Sequence, residues 1–175
     1  MTTAIGNIIA DSLQLGLSKT RGLLVGVTEE MFARLASPGG VVVKSNHASF
    51  VLGHLAIYPA RIVEQLGGDA TALKLPESFV EVYSPTAKCL DDPEGTIYPP
   101  MQEVVDRFFS GYEAALGQFR RSDDELFLRP NPTGGRSTEL FPTIGSMHAF
   151  YAGGHIMLHL GQLSAWRRMS GLGEA

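Results

Sequence analysis

A chain of 175 residues with 44% hydrophobic residues and a formal net charge of −4 is long enough for one domain, 1–175, with its own core, and is too apolar for a disordered protein. Its 14 Lys and Arg residues are scattered, which excludes a nucleic-acid-binding surface, and a single cysteine, Cys89, excludes a disulfide framework or a cysteine-based zinc finger. Polar residues interrupt the amino-terminal segment at Asp11, Gln14 and Lys19, so we expect no secretory leader and no membrane span, and place the protein in the cytoplasm.

The first predicted element is an amphipathic helix from Ala4 to about Gly26. Its apolar residues recur at a spacing nearer to about 3.6 than to about 2 residues. A short second helix is predicted from Thr28 to about Ala36, because Thr28 is a suitable cap and two glutamates follow it. Leu15 and Leu23 lie outside the main apolar stripe of the first helix, which indicates surplus apolar surface and a partner that covers it.

The second long helix is predicted from Ser45 or Asn46 to Leu66, where two glycines follow. Pro59 lies inside it and predicts a kink near Tyr58. The next segment, 69–100, contains five prolines and has no clear periodicity, apart from a short helix predicted at 76–83. A connection this long can return along a bundle, so that the helices on either side of it run parallel.

The third long helix is predicted from Pro100 to Arg121, and the fourth from Thr143 to just before Gly171. Between them, 129–142 is predicted to be a loop rich in Pro, Gly and Thr. No regular set of strands is predicted. The sequence therefore predicts an all-α fold, a four-helix bundle with a long crossover connection between helices two and three.

Two histidines of the fourth helix, His155 and His159, lie four residues apart. This spacing places both imidazoles on one helix face, where they can bind a single metal ion. His54, in an apolar part of the second helix, is the candidate for a third ligand. The alternative is that all three are core residues with hydrogen-bond partners, but apolar neighbours such as Ile156 and Leu158 offer few partners.

Three further residues are candidates for catalysis or substrate contact. His47 lies seven residues before His54 and His148 seven before His155, about 10 Å along each helix axis and too far to share the ion. Their alternative role is a hydrogen bond at the edge of the core. Gln162 lies three residues past the second histidine of the pair, where it can contact a metal-bound water or orient a ligand; its alternative role is a hydrogen bond between helices.

The zinc-protease motif H-E-x-x-H is excluded, because Ile156 occupies the position of its glutamate. No carboxylate occurs from Gly153 to Arg167. Any chemistry at this centre would therefore depend on the metal itself, which lowers the pKa of a bound water or polarises a ligand. Imidazole ligands suit zinc, nickel, copper and iron alike.

Five segments in order resemble signatures of the DinB-like family. They are Asn46-His47-Ala48-Ser49-Phe50-Val51-Leu52-Gly53-His54-Leu55-Ala56, Ile97-Tyr98-Pro99-Pro100, Phe141-Pro142-Thr143-Ile144-Gly145, His155-x-x-x-His159-Leu160-Gly161-Gln162-Leu163 and Arg167-Arg168-Met169-Ser170-Gly171. The resemblance spans nearly the whole chain. It implies a dimeric four-helix bundle with a three-histidine site for a divalent metal, zinc or nickel first and iron or manganese as alternatives. Matched by position, the ligands are His54, His155 and His159.

Characterised members of this family include transferases and isomerases that use low-molecular-weight thiols such as bacillithiol or mycothiol. The resemblance therefore implies a metal-dependent enzyme with a small-molecule substrate, in which the metal activates the thiolate of a cosubstrate. Where some members carry Glu after the first histidine of the pair, this chain has Ile156, so no role of that carboxylate carries over. The alternatives are a metal-dependent hydrolase and a non-enzymatic metal-binding stress or interaction module.

Overall fold

The structure, a computed structural model, describes residues 2–175, and its regular elements within that range are all helical. The helices are α1 (Ala4–Leu24), α2 (Glu29–Phe32), α3 (Ala48–Ala56), α4 (Pro59–Gln65), α5 (Glu77–Tyr83), α6 (Met101–Arg121), α7 (Asp124–Leu128), α8 (Gly135–Leu140), α9 (Ile144–Ala149) and α10 (His155–Met169). A π-helical segment, Phe150–Gly154, joins α9 to α10. The predicted all-α class is confirmed, and among the described residues no helix combines the length and apolar character needed to cross a membrane.

The two longest helices, α1 and α6, pack against each other, and α1 and α3 both contact α10. The buried stripe of α6 follows the helical period, with each member three or four residues from the next: it consists of Val104, Phe108, Tyr112, Ala115 and Phe119. The predicted surplus apolar surface on α1 is confirmed for Leu15 but not for Leu23. Leu15 is 54% exposed, but Leu23 is buried, because the end of α1 packs into the core.

The second predicted helix is divided into α3 and α4 at Ile57 and Tyr58. Pro59 begins α4, because a residue without a backbone N–H is best placed in the first turn of a helix. The helix is interrupted at the predicted place near Tyr58, and both Ile57 and Tyr58 keep right-handed helical backbone angles. The predicted glycine terminus is confirmed: Gly67 has a φ of 77° and the Gly68 N–H donates to the Val63 carbonyl at 2.8 Å.

The connection between α4 and α6 contains α5 and a tight loop built on Asp92. The Asp92 carboxylate accepts hydrogen bonds from the backbone N–H groups of Thr96, Ile97 and Tyr98 at 2.9 to 3.0 Å. Burial alone would raise the pKa of Asp92, but these bonds stabilise the charged form and the pKa lies below its ordinary value. The loop fixes the end of the connection, while α5 carries Tyr83 into the core against α3.

The carboxyl-terminal helical stretch begins with a capping box, in which Thr143 and Ser146 satisfy each other's backbone N–H groups. We predicted one helix here, and the π-helical segment in its middle was not predicted. α8 was not predicted either and lies inside the expected loop 129–142. The π-helical segment contacts α1 and directly precedes His155, so it sets the rotation of α10 about its own axis.

Candidate metal centre

The three predicted ligands come together. His54 lies on α3 and His155 and His159 on α10, and one ring nitrogen of each lies within 4.8 Å of the others. The Nε2 atoms of His155 and His159 are 3.2 Å apart. His54 and His155 are buried and His159 is half-buried. This group, the histidine cluster, is close enough to hold a metal ion.

Two of the three imidazoles are oriented by contacts on their far side. The Nδ1–H of His54 donates to the Tyr83 carbonyl at 2.9 Å. The Nδ1–H of His159 donates to Gln162 Oε1 at 2.9 Å, and this oxygen also accepts from Asn46 Nδ2 at 2.9 Å. A histidine that donates from Nδ1 keeps its lone pair on Nε2, so both Nε2 atoms face the cluster as acceptors. Gln162 therefore fixes the orientation of the His159 ring.

His155 shows why a cation fits this arrangement. Its Nε2 faces the bare lone pair of His159, and its Nδ1 is buried without a hydrogen-bond partner among the described residues. In the metal-free protein a proton on His155 Nε2 would donate to His159 Nε2 at 3.2 Å, and a metal ion would replace that proton between the two nitrogens. An all-imidazole donor set suits divalent transition metals, so the residues present fit such an ion.

The histidine cluster is neutral near pH 7. Burial and, to a smaller extent, the neighbouring imidazoles lower the pKa of His155 to about 4. Burial also lowers the pKa of His54 and of His159. Because a metal ion binds the neutral imidazole, these groups have no proton to lose before they bind.

Sequence reasoning missed Tyr58, which lies at the break between α3 and α4. Its O–H donates to His54 Nε2 at 3.3 Å, and its ring centroid lies 4.8 Å from that of His155. Burial raises the pKa of Tyr58 to about 12. The available signal was its spacing, four residues after His54 and thus one turn further along the same face.

A cavity of about 390 Å³ opens onto the histidine cluster. Besides the three histidines and Tyr58, it is lined by Asn46 and Phe50 and by residues 84, 85 and 87 of the connection. None of these lining residues carries a formal charge at neutral pH. A small molecule can therefore reach the cluster without meeting a charged side chain.

The other two candidate histidines do not line this cavity. His47 caps α3: its Nδ1 accepts from the Phe50 N–H at 3.1 Å, and its Nε2–H donates to the Leu90 carbonyl at 2.9 Å. His148 is buried with its ring 5.9 Å from that of Phe119, and neither of its nitrogens has a partner among the described residues. The hydrogen bond proposed as an alternative is thus found for His47 but not for His148.

These two histidines predict that acid destabilises the fold. Burial lowers the pKa of both from the ordinary 6.5 to about 4, so between these values the unfolded chain binds protons that the folded chain does not. Their contribution to stability is complete above pH 6.5 and is lost as the pH falls towards 4. We expect urea denaturation of the metal-free protein to show a loss of up to about 1.4 kcal/mol per pH unit for each buried histidine.

A His148→Leu variant tests this pH dependence. The histidine cluster also makes the folded protein less stable in acid. We therefore expect the variant to remove only the contribution of His148 from the slope of unfolding free energy against pH. It should also be at least as stable as the original protein at pH 7, because no hydrogen bond is lost. An unchanged slope would show that His148 is not neutral and buried in the folded protein.

The observed centre thus consists of three converging imidazoles, outer contacts that orient two of them, and an uncharged cavity on the open side. Of the residues selected from the sequence, His54, His155, His159 and Gln162 belong to it. Comparisons of the chain with protein-family models, with curated proteins and with solved structures find no match.

Proposed function

We propose that this protein is a metal-dependent enzyme of DinB-like architecture that transfers or isomerises groups with a low-molecular-weight thiol as cosubstrate. The four helices of the proposed bundle are α1, α3 with α4, α6, and α9 with α10, and residues 66–100 form the crossover. The contacts of α1 and α3 with both α6 and α10 support this arrangement. A homodimer is supported by four exposed apolar residues on α1 and α10, namely Ile8, Leu15, Met157 and Leu158. Light scattering that reports a monomer at micromolar concentration would contradict the homodimer.

The observation that carries the proposal is the group of three ring nitrogens within 4.8 Å beside an open cavity. Three protein ligands leave a coordination position for an exogenous group, as catalytic metal sites do. We propose zinc or nickel as the metal, with iron or manganese as alternatives.

The chain's own residues would hold and orient the centre. His54, His155 and His159 would bind the ion, and Gln162 would fix the ring of His159. When bound, a divalent ion supplies Lewis acidity, which lowers the pKa of a coordinated thiol and so keeps it as a thiolate. Phe50 contributes an apolar ring to the wall of the cavity beside this position.

The chain offers no thiol nucleophile at this position. Its only cysteine, Cys89, is absent from the cavity lining, and burial raises the pKa of its thiol to about 11. A thiol that stays protonated at neutral pH is a poor nucleophile. No carboxylate lines the cavity to act as a general base. An external thiol activated by the metal is the nucleophile that these residues accommodate.

The test is thiol consumption by metal-loaded protein. Purified protein is loaded with zinc or nickel and incubated with single thiols (bacillithiol, mycothiol, glutathione) and a panel of electrophiles, and the remaining thiol is measured. We expect metal-dependent loss of one thiol, absent from the His155→Ala/His159→Ala variant. Turnover of esters or amides without thiol would support the hydrolase instead. A melting temperature that responds to metal but to none of these small molecules would support a non-enzymatic metal-binding module.

A further inference from the structure

The hydroxyl of Tyr58 lies on the cavity side of the histidine cluster. Tyr58 lines the cavity, and its O–H donates to Nε2 of His54 at 3.3 Å. The Nδ1–H of His54 already donates to the Tyr83 carbonyl. The hydroxyl of Tyr58 is therefore bonded to the lone pair that His54 would give to a metal ion.

This hydrogen bond is easily displaced. A distance of 3.3 Å is long for an O–H donor, whose bonds are usually about 2.5–3.0 Å. An ion that takes the Nε2 lone pair of His54 leaves the Tyr58 hydroxyl without its acceptor. A half-buried O–H group must then find another acceptor nearby.

The ring of Tyr58 is held where it is. It stacks on Tyr151 with centroids 5.0 Å apart and an angle of 27° between the rings, and it meets the edges of His54 and His155 at 5.3 and 4.8 Å. Pro59 follows it and begins α4. The hydroxyl can rotate its proton, but the ring cannot swing away from the cavity, and no carboxylate among the lining residues can accept the proton.

A ligand bound in the cavity can supply that acceptor. Three neutral imidazoles and an uncharged lining leave both positive charges of a divalent ion uncompensated, which favours an anionic ligand on its open side. We infer that Tyr58 donates a hydrogen bond to a monoanionic ligand, such as a thiolate, that is bound at the open side of the metal centre. The inference depends on the metal site of the proposed function and adds a ligand-binding residue to it.

Azide binding to the cobalt(II) protein tests the inference without any enzymatic activity. Cobalt is added to the metal-free protein, azide and then 2-mercaptoethanol are titrated separately, and binding is followed by the visible absorption of cobalt. In Tyr58→Phe we expect azide and the thiolate to bind about tenfold more weakly, the effect of one hydrogen bond. Cobalt itself should bind equally well or more tightly, because the competing hydrogen bond to His54 is gone.

Tyr151→Phe is the matched control, since it removes the hydroxyl of the stacked ring and that hydroxyl makes no hydrogen bond among the described residues. It should leave both affinities unchanged. Tyr58→Met, which also lacks the hydroxyl, is a second variant and should weaken azide binding to the same extent. Equal azide affinity in wild type and Tyr58→Phe, or loss of cobalt from Tyr58→Phe, would overturn the inference and leave the metal centre standing. A wild-type protein that takes up no cobalt would overturn the proposed function as well.

Discussion

Replacing His155 and His159 together by alanine is expected to abolish metal binding. The protein purified without a histidine tag should contain about one equivalent of a divalent metal per chain, measured by plasma mass spectrometry. The double variant removes two of three ligands and should contain none. His54→Ala removes the ligand supplied by α3 and should also lose the metal, because the remaining pair on α10 is only half a site.

His148→Leu is the control for these variants. It removes a buried histidine from the same helical stretch, seven residues before His155, but one that makes no contact with the cluster. The metal content of this variant should equal that of the original protein. A wild-type protein that is metal-free and cannot be reconstituted would contradict the site, and the three histidines would then be core residues.

Gly53→Ala is expected to destabilise the fold and weaken the metal centre together. A Cβ atom at this position would lie 2.4 Å from the ring of Tyr83, which is fully buried and cannot move aside freely. Overpacking of this kind costs about 1–3 kcal/mol of unfolding free energy. The carbonyl of Tyr83 accepts the Nδ1–H of His54, so a displaced Tyr83 also misplaces a ligand. We expect about a tenfold loss in metal affinity, within the range known for outer contacts of metal ligands.

Gly161→Ala is expected to stabilise the protein, in contrast to Gly53→Ala. Gly161 lies inside α10, two residues past His159, and a Cβ atom there would meet nothing within 4 Å. Alanine should raise the unfolding free energy by about 0.5–1 kcal/mol, because glycine is a poor helix former. Chemical denaturation measures the unfolding free energy of both glycine variants, and competition with a metal chelator measures their metal affinity.

An unfolding free energy that is unchanged in Gly53→Ala would show that Tyr83 does not pack tightly on α3.

The part of the fold that the sequence predicts well is the part that local periodicity controls. The stripe of α6 repeats every three or four residues, and of its predicted bounds, Pro100 and Arg121, the first is one residue from that observed and the second is identical. The pair on α10 could be predicted for the same reason, since a spacing of four fixes a common face. His54 required a further assumption, that α3 faces α10, and the contacts between these helices support it.

The missed features depend on contacts between residues distant in the chain. The hydrogen bond from Asn46 to Gln162 joins residues 116 positions apart, and the role of Tyr83 depends on its carbonyl accepting from His54, 29 positions earlier in the chain. No helical period encodes such pairs. Tyr58 was missed because Pro59 suggested only a kink, although the resulting break places the phenol beside the cluster.

The π-helical segment Phe150–Gly154 determines which changes of length this helical stretch can accept. A π-helical turn accommodates one more residue than an α-helical turn, so deleting one of its residues would restore a regular α-helix and leave His155 and His159 on nearly the same face. A further residue inserted between this segment and His155 would instead rotate both histidines by about 100° away from His54, with every ligand still present in the sequence. Loss of a residue is therefore tolerated here, whereas gain of one separates the ligands.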